Sequence, residues 1–232
     1  MKERVTITGS EGNIGTILKE GLSKDYDLTL IDILTGTDVR NYKQLLKAVQ
    51  EQDILIHLAW NSTTENFKNV QIDPDNFKMA KNAYEAALRA GVKRIIMASS
   101  VHAHKFYDWK FPPLISINIP SEPDSPYGED KIAIENLGRD YALKGLEVVV
   151  IRLGGINPTD IPPLSGNDPW EERAAWLSRN DCISLIKSVI QAENIPGNFV
   201  LMYAVSNNRN RIHDTSNPFG WRPIERAEDF QK

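Results

Sequence analysis

Five short apolar runs divide the first 155 residues: Val5–Thr8, Leu28–Ile33, Ile54–Leu58, Arg94–Ala98 and Glu147–Leu153. Their hydrophobicity is continuous rather than alternating, which suits strands covered on both faces and therefore a parallel sheet. Parallel neighbours cannot be joined by a tight turn, so each pair needs a crossover. Helical patterns near 13–24, 41–51, 74–91 and 126–144 stand in the gaps. Strand and helix alternating in this order predict an α/β protein with a doubly wound parallel sheet and right-handed crossovers.

The pattern changes after residue 155. Ile156–Asn167 holds Pro158, Pro162, Pro163 and Gly166 and reads as loop; a helix near Asp181–Ala192, a strand near Phe199–Val205 and a polar tail follow. The chain is expected to divide into a sheet domain, 1–155, and a small C-terminal lobe, 156–232, folded over the sheet edge as one compact unit. A second long loop, Val101–Ser125, separates a strand from a helix, and loops of that length are commonly functional. The 41% hydrophobic and 25% charged side chains suffice for a full core. With 27 basic against 31 acidic residues and a net charge of −4, the chain lacks the basic stripe of a nucleic-acid binder. No apolar run is long enough to span a membrane. The opening Met1-Lys2-Glu3-Arg4 runs into the first strand without a signal-peptide core, and the single Cys182 can form neither an internal disulfide nor a zinc site. A reducing cytoplasm and a site without metal are therefore expected. Helices 74–91 and 126–144 carry apolar residues on more than one face, among them Ile132, Ile134, Leu137 and Tyr141, which predicts a homodimer or higher homo-oligomer.

The segment Gly9-Ser10-Glu11-Gly12-Asn13-Ile14-Gly15 follows the first strand and opens the first helix. Glycine lets the backbone turn tightly and approach a pyrophosphate, while the helix start, with Asn13, Ile14 and Gly15 in its first turn, offers amides to the anion. Asp32 closes the second strand 17 residues after Gly15, where a carboxylate accepts from ribose hydroxyls and repels a 2′-phosphate. This reads as a Rossmann dinucleotide site that takes NAD in preference to NADP.

Tyr127 and Lys131 stand four apart in a helical pattern, so their side chains share one face. A phenol is a poor base at neutral pH, with an ordinary pKa of about 10. An adjacent ammonium, together with a positive nicotinamide ring, is expected to stabilise the phenolate. Ser99-Ser100 ends the preceding strand, and the carboxyl ends of parallel strands are where doubly wound sheets bind ligands.

The glycines are spaced three and three apart, and in this the chain resembles the extended short-chain dehydrogenase/reductase family, the NAD-dependent epimerases and dehydratases. Further matches follow in order. Asp38-Val39 resembles that family's adenine-contacting pair, and His57-Leu58-Ala59 the stretch running along the cofactor. Asn76 resembles the helix asparagine behind the nicotinamide half. The resemblance implies that Ser100 is the catalytic serine, Tyr127 the acid/base, and Lys131 its electrostatic partner and a ligand of the nicotinamide ribose. Hydride transfer is then the implied chemistry, with NAD carrying the redox step.

About 77 residues follow Gly155, too few for the large lobe with which nucleotide-sugar epimerases hold their substrate, so a small substrate is expected. Trp176-Leu177-Ser178, Tyr203–Asn208, Asp214-Thr215-Ser216 and Gly220-Trp221-Arg222-Pro223 resemble the uronate dehydrogenases, which oxidise C1 of a sugar acid with NAD. The likeness implies substrate contacts from Ser62, Ser100, His102 and Tyr127. Where those enzymes have an arginine for the substrate carboxylate, five residues before the tryptophan, this chain has Glu171. Arg173, three before Trp176, is the expected replacement, because a guanidinium suits a carboxylate or phosphate. Val101 and Gly155 also stand where the family has asparagine and serine. His57 and Cys182 read as core residues. The expected function is NAD-dependent oxidation of a small sugar or sugar acid at C1. Two alternatives are a nucleotide-sugar epimerase or dehydratase with tightly bound NAD, and an NAD-sensing module without turnover, which would have no need of Ser100, Tyr127 and Lys131 together.

Overall fold

The computed structural model describes residues 2–61, 73–107, 109–110, 112–163 and 170–230. The strands are β1 (Arg4–Thr8), β2 (Asp27–Ile31), β3 (Ile54–His57), β4 (Arg94–Ser100), β5 (Glu147–Leu153) and β6 (Phe199–Ala204). They form one wholly parallel sheet in the order β2-β1-β3-β4-β5-β6. The helices are α1 (Asn13–Leu22), α2 (Tyr42–Ala48), α3 (Pro74–Ala90), α4 (Pro126–Ala142), α5 (Trp170–Ala174) and α6 (Arg179–Gln191). The short α5 was not expected from sequence, because at a turn and a half it is too short to show a helical period.

Burial on both faces accounts for the apolar runs. On one face α1 and α6 bury Leu18, Leu22, Leu185 and Val189 against Val5, Ile56 and Val149. On the other, α2, α3 and α4 bury Leu45, Ala83, Tyr84 and Ile134 against Leu55, Ile95 and Val148. Successive strand residues point to opposite faces, so each run had to be apolar at every position. Each such side chain removed from water stabilises the fold by about 1.5–3 kcal/mol.

Helices α3 and α4 pack closely because Gly138 leaves room: a Cβ there would lie 2.6 Å from the Tyr84 hydroxyl oxygen. That hydroxyl donates to the Ile134 carbonyl at 3.2 Å, and the Tyr84 ring stacks on Tyr141 with centroids 5.3 Å apart. Ile134 and Tyr141, expected to face a second copy, are thus buried within the chain, while Ile132 and Leu137 stay half-buried.

Past residue 155 the chain does two things. It returns α6 and β6 to the sheet, and it folds the segments around Ala174–Trp176 and Val205–His213 over the carboxyl ends of β4–β6. There, Val101, Phe106 and Ile115 of the long loop meet Ala174, Ala175, Tyr203, Val205 and Ile212 in a small third core. Parallel bridges at Ile115–His213 and Gly155–Trp176 fasten the layer. Because β1 leads to β2 on one side and β3 lies on the other, the sheet's topological switch point falls between the ends of β1 and β3.

Candidate active site

A cleft of about 850 Å³ opens at that switch point, running from Asp32 beyond β2 to Ser100 and Tyr127 beyond β4. Its floor is the glycine turn. Gly9 has φ +70, and a Cβ on it would lie 2.8 Å from the Ala59 amide nitrogen, so only glycine lets the turn pass beneath the end of β3. Gly15 is closed in the same way by the Gly9 carbonyl, 2.1 Å from where its Cβ would be. At Gly12 a Cβ would meet only the Gly9 carbonyl, at 3.3 Å, and the space its missing side chain leaves belongs to the cleft. Gly12 is also the N-cap of α1 and supplies no side-chain cap. Asn13, Ile14 and Gly15 line the cleft from the first turn of that helix, so its amides and dipole are available to an anion there.

Asp32 is nearly buried where β2 ends; its carboxylate accepts from the Leu34 amide at 2.9 Å and the Glu11 amide at 3.1 Å. Two amides fix the carboxylate facing the glycine turn. Asp38 and Val39 line the same end with Leu58 and Ala59. Arg40 forks onto Asp38, Nη2 to Oδ2 2.8 Å, and reaches Asp75 at 3.1 Å, which holds the Asp38 carboxyl below its usual pKa range.

At the other end, Ser125 caps α4, its hydroxyl accepting from the Gly128 amide at 3.3 Å, and so places Tyr127 and Lys131 on the first two turns facing the sheet. A Cβ on Gly128 would lie 2.1 Å from the His102 carbonyl, so this helix start sits directly on the loop after β4. The Ser100 hydroxyl bonds to Tyr127 and accepts from the His102 amide at 3.3 Å. Lys131 is buried; its Nζ donates to the Ala98 carbonyl at 3.0 Å and lies 3.4 Å from the centre of the Trp60 ring and 5.4 Å from that of Tyr127. Trp60 meets Tyr127 edge-on at 6.1 Å. Ser100, Tyr127 and Lys131 are thus brought together as expected.

The electrostatics differ from the expectation in one respect. Burial pushes the Tyr127 phenol above its usual value, Ser100 opposes the shift, and Asp124 adds to it. Burial also lowers Lys131 to about 7, against the pull of Asp130 and Glu135. His57 is held at about 3, first by burial and then by Lys131. Its Nδ1 bonds to Thr8 at 2.8 Å, while Nε2 is buried without a partner. The chain by itself therefore holds the phenol neutral, and a further positive charge is needed to shift it.

His102 lines the cleft, edge-on to Tyr127 at 5.9 Å, with Nδ1 2.7 Å from Asp124. Three other sequence-derived residues behave differently. Asn76 is buried behind the wall and acts through Asn61, accepting from its amide at 2.7 Å. The Arg173 guanidinium lies 4.0 Å from Glu228, and of the two neighbours it is Glu172 that lines the cleft among the described residues. Glu171 is buried. Ser62 lies outside the described residues. Sequence reasoning missed Trp60, Asp124 and Glu172. The only signal for Trp60 was an aromatic directly after His57-Leu58-Ala59, and for Asp124 its place just before the cap of α4.

A glycine-floored helix N-terminus, an acidic strand end and a Ser–Tyr–Lys cluster at one switch point define a dinucleotide-binding α/β protein of the short-chain type. Residues 5–156 match the NAD dependent epimerase/dehydratase family, and the chain belongs to it. The L-arabinose 1-dehydrogenase (NAD(P)(+)) of Haloferax volcanii is 31% identical over 250 residues, covering 97% of each chain. The crystal structure of uronate dehydrogenase from Agrobacterium tumefaciens superposes with a TM-score of 0.81 at 26% identity, over 99% of this chain and 87% of that one. A tyrosine-to-alanine mutant of that enzyme, complexed with NAD, gives 0.80 at 25% identity, over 99% and 88%.

The buried ammonium has a consequence for stability. With the folded pKa of Lys131 near 7 and an unfolded value near 10.5, the unfolded chain holds the extra proton between those limits. Stability therefore rises with pH through that window, and the burden on the folded state is complete below pH 7. Lys131→Met should stabilise the free protein at pH 6 by about 1 kcal/mol or more, with the gain shrinking toward pH 10. Urea unfolding across this pH range reads it; a gain independent of pH refutes the assignment.

Proposed function

We propose that this protein is an NAD-dependent dehydrogenase that oxidises C1 of a small sugar or sugar acid. The observation that carries the reading is the placing of Ser100, Tyr127 and Lys131 at one end of a cleft whose other end is the glycine turn with Asp32. The apolar Ile33 and Leu34 line that other end although 60% and 80% exposed, a surface that an adenine ring would cover. The glycine turn and the amides of α1 would hold the pyrophosphate, Asp32 the adenosine ribose and Lys131 the nicotinamide ribose. Family relatives named as a sugar 1-dehydrogenase and uronate dehydrogenases, matched over nearly the whole chain, support a small substrate.

When bound, the nicotinamide supplies the hydride acceptor. Ser100 orients the substrate oxygen by its hydroxyl, and Tyr127 takes the proton from that oxygen as general base. Lys131, fixed by Ala98 and Trp60, sets the charge beside the phenol. His102, oriented by Asp124, contacts the sugar on the solvent side. The layer that Val101, Phe106 and Ile115 form with Ala174, Ala175, Val205 and Ile212 excludes water from the reacting end. The free, buried Cys182 suits a reducing cytoplasm, and the half-buried Ile132 and Leu137 on α4 suit a symmetric dimer.

Three measurements test the reading. Light scattering at micromolar concentration should give a dimer mass, and a monomer rejects that part. In cofactor titrations NAD should bind more tightly than NADP by about 1 kcal/mol or more, since Asp32 faces the 2′ position in a partly desolvated site. Asp32→Ala should narrow the gap mainly by weakening NAD; equal affinities in the wild type reject the role of Asp32. Tyr127→Phe should leave NAD affinity nearly unchanged while turnover falls by roughly 10²–10⁴. Wild-type turnover in that variant refutes the base. If NAD binds and no sugar or sugar acid yields NADH, the net-dehydrogenase reading fails.

A further inference from the structure

Among the described residues, each cation that lines the cleft already has a partner. The basic side chains lining the cleft among the described residues are Arg40, His102 and Lys131. Arg40 stands at the β2 end, occupied by Asp38 and Asp75. Lys131 is buried under Trp60, and His102 is already bonded to Asp124. Arg173, the one cation that the sequence offered for a substrate anion, points to Glu228.

What α5 sends into the cleft is Glu172. The Tyr107 hydroxyl donates to its Oε1. A ladder of rings ties that carboxylate to the reacting end. Tyr107 stacks on Phe106 at 4.6 Å, Phe106 meets His102 at 5.4 Å, and His102 meets Tyr127 at 5.9 Å. Burial, then Glu172, and more weakly Asp124 and Glu171 raise the Tyr107 pKa, so its phenol stays a neutral donor to that carboxyl. One carboxylate oxygen is thereby fixed, and the group retains acceptor capacity for ligand hydroxyls.

Resting on the dehydrogenase reading above, we infer that the substrate is a neutral aldose whose ring hydroxyls donate to Glu172, and that Glu172 excludes sugar acids and sugar phosphates. A carboxylate accepting from hydroxyls makes charge-assisted bonds, the stronger kind. A second anion brought beside it in a water-poor cleft meets repulsion, and among the described residues no guanidinium lines that end of the cleft to offset it. Discrimination then comes from a repulsive element as much as from an attractive one.

Steady-state NADH production tests this with pairs matched in stereochemistry: D-galactose against D-galacturonate, and D-glucose against D-glucuronate and D-glucose 6-phosphate. The wild type should favour each neutral sugar in kcat/KM by about tenfold or more. Glu172→Gln should raise KM for the neutral sugars and lower it for the acids, with kcat moving less, so that the preference shrinks by about tenfold. Arg173→Ala should leave the ratio of aldose to uronate activity within about twofold, because that guanidinium is set beside Glu228 and is not among the described residues lining the cleft. A wild-type preference for the uronate or the phosphate overturns the inference while leaving the dehydrogenase reading intact. So does an unchanged ratio in Glu172→Gln, or a selective loss of uronate turnover in Arg173→Ala. Absence of NADH from every sugar, with NAD bound, defeats the dehydrogenase reading and the inference together.

Discussion

Beneath the reacting end of the cleft lies a buried ion pair on which its geometry depends. Glu135, one helical turn beyond Lys131 on α4, accepts from Arg152 of β5 at 2.8 and 2.7 Å and from the Ser99 hydroxyl at 2.5 Å. Arg152 in turn donates to the Tyr203 hydroxyl on β6 at 2.7 Å and to Ser121 of the long loop at 2.5 Å. One pair thus joins the helix carrying Tyr127 and Lys131, the strand end carrying Ser100, and the loop that closes over both. Such a pair is weak evidence for net stability, because desolvation offsets most of its attraction. Removing one partner is another matter, since a buried unpaired charge costs about 3–5 kcal/mol. The pair therefore specifies register more than it adds stability: α4 can neither slide nor rotate on the sheet without stranding Glu135.

That arrangement explains what the sequence made legible and what it did not. The strands were readable because both faces are covered, so the apolar signal survives without knowledge of partners. Ser100, Tyr127 and Lys131 were readable because a helical turn and a strand end are local geometry. Trp60, Asp124 and Tyr107 belong to the site through contacts across many residues of chain, and no spacing announces such contacts. Arg173 and Glu172 show the limit most sharply. Neighbours on a helix point about 100° apart, so which one faces the cleft depends on the phase of α5. That phase is tied to the bridge after the helix, where the Gly155 amide donates to the Ala175 carbonyl at 3.1 Å and the Gly155 carbonyl accepts from the Leu177 amide at 2.8 Å, a tertiary fact. The opposite signs of the two side chains turn a one-residue question of phase into a question of substrate charge.

The distribution of protons in the site follows from the same burial. Apolar cover raises Tyr127, lowers Lys131 to about 7 and keeps His57 neutral, so near neutral pH the reacting end carries little fixed positive charge. In such an environment each charge that does arrive acts strongly, because little water is present to screen it. A cationic ring brought beside Tyr127 would shift the phenol toward ionisation more than it would in water, and a phenolate there would in turn stabilise the Lys131 ammonium. The ring of Trp60 and the Ala98 carbonyl hold that ammonium in place while it waits for a counter-charge. Burial that weakens the free protein is thus the condition under which the cluster responds to its ligands, which is why a residue as unfavourable as a buried lysine belongs at this position.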